Sequence, residues 1–171
     1  KRYYDMVRID DPENGEAKFF FAFYSLYEGM NGEIPKRFSN MCGVLKSSIK
    51  LVKESDSDEA EKLSIIRAIL AALVPETWAN NRYMNNKNHE TKIGDSYVKV
   101  FEHSQIVSVC KEGMVTLKDI GDYVASIYSS SPEGMKLAVS AWKEYVSLAQ
   151  KWYAYVPKGD AESYAAKIRA V

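Results

Sequence analysis

Residues 18–27 read KFFFAFYSLY, and six of the nine positions after Lys18 are aromatic in a chain whose full aromatic complement is 6 Phe, 12 Tyr and 3 Trp. A segment so apolar must be covered, by the rest of the chain or by a partner, so its conformation decides the fold. Read at a period of two, Phe19, Phe21, Phe23 and Tyr27 share one face and Phe20, Ala22, Tyr24 and Leu26 the other. Both faces are greasy, as in a strand buried on two sides. With residues 3–9 before it and the turn-rich Asp10-Asp11-Pro12-Glu13-Asn14-Gly15-Glu16 between, residues 1–28 are expected to form a β-hairpin. Helix is the competing reading, because aromatic residues in a short apolar run do not fix the period.

Outward from this segment the chain turns helical. Past Gly29, Gly32 and Pro35, Met41, Leu45, Ile49 and Val52 recur at helical spacing, and Leu63, Ile66, Leu70 and Leu73 form a second stripe. These predict a helical pair over residues 37–74, with Asp58 and Glu61 capping the second helix and Pro75 ending it. Residues 76–95 carry Asn80, Asn81, Asn85, Asn86 and Asn88 and are expected to be an exposed asparagine-rich loop. In residues 97–109, Val98 and Val100 alternate with Tyr97 and Phe101, which predicts short strands that pair with the amino-terminal hairpin.

Residues 116–171 read as the carboxy-terminal helices. Thr116 with Asp119 suggests a capping box, and Ser131-Pro132-Glu133 a helix start. The last long helix carries Met135, Val139, Trp142, Val146, Ala149, Tyr153 and Val156 in one stripe, flanked by Tyr145 and Trp152. So wide a buried arc places it at the centre of a bundle or between two chains. The expected fold is α+β, mainly α: one domain over residues 1–171, with an amino-terminal β-hairpin on a bundle of about five helices.

Composition narrows the functions. Lys plus Arg and Asp plus Glu number 23 each, so no net field draws the whole protein to nucleic acid or an anionic membrane. Cys42 and Cys110 have no zinc or disulfide-scaffold spacing, which favours a reducing, intracellular and cytoplasmic setting. There is no signal peptide, and no apolar run approaches the roughly 20 residues of a membrane span. A start at Lys1 rather than methionine points to a trimmed amino terminus.

Residues Val115-Thr116-Leu117-Lys118-Asp119-Ile120-Gly121-Asp122-Tyr123-Val124 resemble the first helix of a helix-turn-helix of the lac repressor family. The resemblance covers about ten residues. Where that family has a tight turn, this chain has Ala125, Ser126 and Ile127, and Ser129-Ser130-Ser131-Pro132 interrupts the would-be recognition helix, so an ordinary capped helix is the better reading.

Three function classes remain. The first is a non-enzymatic assembly or binding protein, of the capsid, matrix, nucleoprotein or adaptor kind, docking itself or another protein through Phe19, Phe21, Phe23, Tyr27, Trp142, Tyr145, Trp152 and Tyr153. The second is a nucleic-acid-binding regulator. In it Lys36, Arg37, Lys46, Lys50 and Lys53, joined by Arg82, Lys87 and Lys92, would form a phosphate-binding strip, with Trp78 or Tyr83 stacking on single-stranded bases. The ordinary account of those lysines is a solvated helix face. The third is a small enzyme with a pocket near Glu102, His103 and Cys110, although no phosphate loop, GxSxG or HExxH is present. The pairs His89/Glu90 and Glu102/His103 lack the i, i+4 spacing of a rigid ligand pair. No cofactor or metal site is therefore expected, and the assembly protein is the preferred reading.

Overall fold

A computed structural model describes residues 1–28, 33–85, 90–93, 96–99, 101–157 and 159–171. Among them are seven α-helices: α1 (Arg2–Asp10), α2 (Gly15–Ser25), α3 (Ile34–Glu54), α4 (Glu59–Met84), α5 (His103–Ile127), α6 (Pro132–Lys151) and α7 (Asp160–Arg169). The fold is helical, not α+β, and the expected amino-terminal β-hairpin does not exist. Extended pairing among the described residues is confined to Glu90–Ile93 against Ser96–Lys99, antiparallel, so residues 97–109 meet no amino-terminal strand.

The aromatic segment is helical because its turn is a helix cap. Asn14 Oδ1 accepts from the Ala17 amide at 2.9 Å, which starts α2 at Gly15. From there the rings meet four residues apart, Phe19 with Phe23 at 6.2 Å and Phe23 with Tyr27 at 5.7 Å between centroids. Gly15 is buried against the backbone of α3 at Ser48 and Val52, and Phe19 is fully buried.

The predicted helical pair is present as α3 and α4, with Asp58 Oδ1 accepting from the Glu61 amide at 2.8 Å. Pro75 does not end α4. The helix runs on to Met84 because its last turns carry a buried face, Thr77, Asn80, Asn81 and Met84, whose packing outweighs one lost backbone hydrogen bond. Residues 76–85 are therefore no exposed loop. Asn86, Asn88 and Lys87 lie outside the described residues.

Helix α5 begins at His103, where Glu102 and Gln105 form the capping box, so Thr116 lies mid-helix and starts nothing. The same helix runs on through Ala125, Ser126 and Ile127, which leaves no tight turn for a helix-turn-helix there. Ser131 caps α6, its hydroxyl accepting from the Gly134 amide at 3.3 Å. The buried residues of α3, α4, α5 and α6 join Phe19 of α2 in one core around Leu45, Ile66, Met114, Trp142 and Tyr145. A smaller cluster, Met84, Phe101 and Cys110, closes the far end of α4. No helix among the described residues is long and apolar enough to cross a membrane.

Helix α7 has no fully buried residue; Ala161, Tyr164, Ala165 and Ile168 pack half-buried against the core, and polar contacts add to that seat. Tyr164 and Lys167 both donate to the Asp122 carboxylate, the lysine at 2.6 Å, while Tyr145 and Lys118 donate to Asp160. Partial burial raises the pKa of Asp122, but the bonds from Lys167 and Tyr164 outweigh it and hold the carboxyl below its ordinary value. A depressed folded pKa stabilises the docked state above the unfolded value and ceases to do so as pH falls through the folded one. Helix α7 is therefore expected to loosen below about pH 4, seen as a change in the Trp142 indole N–H resonance. Asp122→Asn should shift that resonance at neutral pH and abolish its acid transition.

Candidate functional site

The aromatic residues expected at a partner surface divide sharply. Phe19, Trp142 and Tyr145 are wholly inside the core and cannot meet a partner in the folded chain. Trp142 lies against Gly121 of α5, with Lys167 at 4.1 Å over its ring. Trp152 is half-buried, 5.4 Å from the ring of Trp78, whose Nε1 donates to Glu144 at 3.0 Å. Trp78 is therefore packed rather than free to stack on a base. Phe23 is half-buried, and Phe21 lies under two cations, Arg8 at 4.1 Å and Lys1 at 4.8 Å. Tyr27 and Tyr153 are exposed, Tyr153 by itself after α6.

Among the described residues the large exposed hydrophobic ones are Tyr3, Met6, Ile9, Tyr24, Tyr27, Tyr153 and Val171, so five of these seven fall on α1 and α2 or just after them. Helix α1 builds this edge. Tyr4 turns inward, stacked on Phe20 at 5.2 Å and Tyr24 at 5.8 Å, and Val7 is half-buried beside it. The opposite side presents Tyr3, Met6 and Ile9, which are 69%, 57% and 69% exposed. Among the described residues α1 packs on α2 alone and buries no residue completely. A period of two hides this edge, because in a strand over residues 3–9 Tyr3 and Ile9 fall on the face opposite to Met6. The spacing of three between Tyr3, Met6 and Ile9 was the available signal.

The basic strip is broken by geometry. Arg37 and Lys46 are nine residues apart, about half a turn around α3 at 3.6 residues per turn. Arg37 reaches back to Glu33 and to the Leu26 carbonyl at 3.4 Å. Lys46 and Lys53 lie over the rings of Tyr123 and Tyr128 on α5 and its cap, at 5.7 and 4.3 Å. Lys50 pairs with Glu54 at 3.6 Å. Lys36 is exposed before Arg37, Arg82 is exposed near the end of α4, and Lys87 and Lys92 are among the residues whose side chains are not described. A basic concavity of about 460 Å³ with Arg8, Lys18 and Arg37 on its walls has Arg8 paired to Asp5 and Arg37 to Glu33.

Chemistry for a covalent or metal mechanism does not converge among the described residues. Burial pushes both cysteine thiols up to about 12, far from the thiolate form a nucleophile needs. His103 is exposed at the start of α5, His89 lies outside the described residues, and no group of three His, Cys, Asp or Glu is placed to hold a metal ion among those described. No known family, curated protein or solved structure matches the chain.

Proposed function

We propose that this chain is a non-enzymatic assembly protein, and that its α1 edge pairs with the same edge of a second copy. The observation that carries the reading is the exposed Tyr3, Met6, Ile9 row on a nine-residue helix that, among the described residues, packs on α2 alone. A helix so short is marginal by itself in water, and an apolar row facing solvent costs it further stability.

The residue order favours a second copy over an unrelated partner. Laid antiparallel about Met6, two copies of α1 bring Tyr3 of each against Ile9 of the other, and Arg2 against Asp10. Arg2 and Asp10 are exposed, and neither forms an ion pair among the described residues. Such a self-matching patch is what a two-fold interface requires. Tyr24 and Tyr27 flank it with the amphipathic rings that commonly anchor interfaces.

A charge-swap experiment tests the register. Arg2→Glu should weaken self-association by at least about tenfold, since it sets two carboxylates against each other at both ends of the pair. Arg2→Glu combined with Asp10→Lys should restore most of that loss. Equal weakening in the single and double variants would contradict antiparallel pairing of α1. Nucleic acid that co-purifies with the protein and leaves it when Lys46 and Lys53 become glutamate would favour the nucleic-acid reading instead.

A further inference from the structure

The 460 Å³ concavity between α1, α2 and α3 is walled by three cations and, among the described residues, by no carboxylate. Its α2 side is built by Lys18, Phe21, Ala22 and Ser25, which recur at the spacing of one helix face. Arg37, Asn40 and Val44 line it in the same way from α3, and Arg8 and Pro12 close it from α1 and the turn that follows. In a chain with as many acidic as basic residues, this is a local separation of charge that the whole composition does not impose.

Two of the cations are held in place without being used up. Arg8 donates to Asp5 at 3.0 Å and lies 4.1 Å over the Phe21 ring, while Arg37, its side chain 14% exposed, is anchored by Glu33 and by the Leu26 carbonyl. A guanidinium carries five N–H donors, so both retain free ones. Lys18 is half-buried, and its ammonium has no hydrogen-bond or ion-pair partner among the described residues. With Asp5 and Glu33 set against the two arginines, one positive charge stays unbalanced at the wall. Between the cations the lining is apolar, from Pro12, Phe21, Ala22 and Val44, and the Ser25 hydroxyl is spent on the Phe21 carbonyl at 2.7 Å. The space is about three times the roughly 150 Å³ that accepts one benzene ring. A cation would be repelled there, a neutral molecule would leave Lys18 unbalanced, and a polyanion would bring more charge than one free cation offsets.

We propose that this concavity binds a small monocarboxylate with an apolar body about the size of two fused rings. The Lys18 ammonium pairs with the carboxylate, Arg8 and Arg37 set the positive field around it, and the body lies along Phe21, Ala22 and Val44. This inference does not rest on pairing through α1, and Met6→Asp changes no residue of the wall.

The probe is 2-naphthoate, followed through the Ala22 and Val44 methyl resonances of the whole chain. Acetate, which has the charge without the body, and 2-naphthalenemethanol, which has the body without the charge, are its analogues. The expected result is a saturable shift with 2-naphthoate, half-complete at about a millimolar or below, as suits a ligand of about thirteen heavy atoms. Each analogue should bind at least about tenfold more weakly. Lys18→Gln removes a charge that no described residue uses, so it keeps the fold, and it should weaken 2-naphthoate by about tenfold. Lys18→Arg should restore most of that loss, and Lys50→Gln, outside the concavity, should change nothing. No saturable response to 2-naphthoate, an equal response to 2-naphthalenemethanol, or undiminished binding by Lys18→Gln would each overturn the assignment.

Discussion

Gly15→Ala is expected to lower the melting temperature by roughly 6–12 °C, the equivalent of about 3 kcal/mol in a chain of this size. Gly15 opens α2 directly against α3. A methyl group there would lie inside the contact radius of the Ser48 carbonyl oxygen, 2.8 Å from the Val52 amide nitrogen and 2.9 Å from its Cγ2. Two of those three atoms are backbone, so no rotamer change relieves the clash, and α2 must move away from α3. The glycine serves close approach and not an unusual dihedral, because the positive φ among described residues is at Gly159. Alanine's better helix propensity returns at most about 1 kcal/mol. Thermal denaturation by circular dichroism measures the loss. An unchanged melting temperature would show that α2 is not seated on α3 at this point.

The second large effect is expected at Trp142. Trp142→Ala should cost about 3–5 kcal/mol, as deletion of a fully buried aromatic ring does, and the loss should extend beyond the cavity it leaves. Its indole fills the space beside Gly121 and forms the floor under Tyr164, 6.2 Å away between ring centroids, and under Lys167. Helix α7 should therefore gain faster amide exchange along Asp160–Arg169 in the variant. The same substitution separates two accounts of this tryptophan. A core residue changes stability and leaves association between folded chains as it was, whereas an interface anchor would change association first. Unaltered stability with lost association would contradict the packing described for α6.

Helix α3, the first half of α4 and most of α6 were legible in sequence because their apolar stripes have the helical period and their caps are local, whereas the first turns of α5 read as strand. Asp58 and Ser131 announce α4 and α6 at short range, and both caps are formed. The amino-terminal pair was not legible, because six aromatic residues in nine carry no distinct period. Their identity as a helix rests on Asn14 accepting from Ala17 and on Gly15 fitting against α3, the second a tertiary fact. Pro75 and the asparagines misled for a related reason. A proline lowers the stability of a helix interior without forbidding it, and Asn80 and Asn81 look like loop residues until burial is known.

The surface reading divided along the same line. Counting aromatic residues found the segments rich in tryptophan and tyrosine, but the bundle needed most of those rings for its own core. What remained outside was the α1 row, whose members Tyr3, Met6 and Ile9 look unremarkable in sequence. The helical spacing of Lys46, Lys50 and Lys53, with Lys36 and Arg37 before them, suggested one strip, and the helix separated it, with Arg37 turned to α2 and Lys46 and Lys53 laid over tyrosines beside α5.

Self-association through α1 is tested most directly by the mass of the protein in solution, measured by light scattering over a concentration series with Met6→Asp alongside. The account predicts that the natural sequence rises with concentration from 19.4 kDa towards twice that mass, and that Met6→Asp, folded and equally stable, stays at 19.4 kDa throughout. A natural sequence that remains monomeric at every concentration, or a Met6→Asp variant that associates as well as its parent, would contradict it.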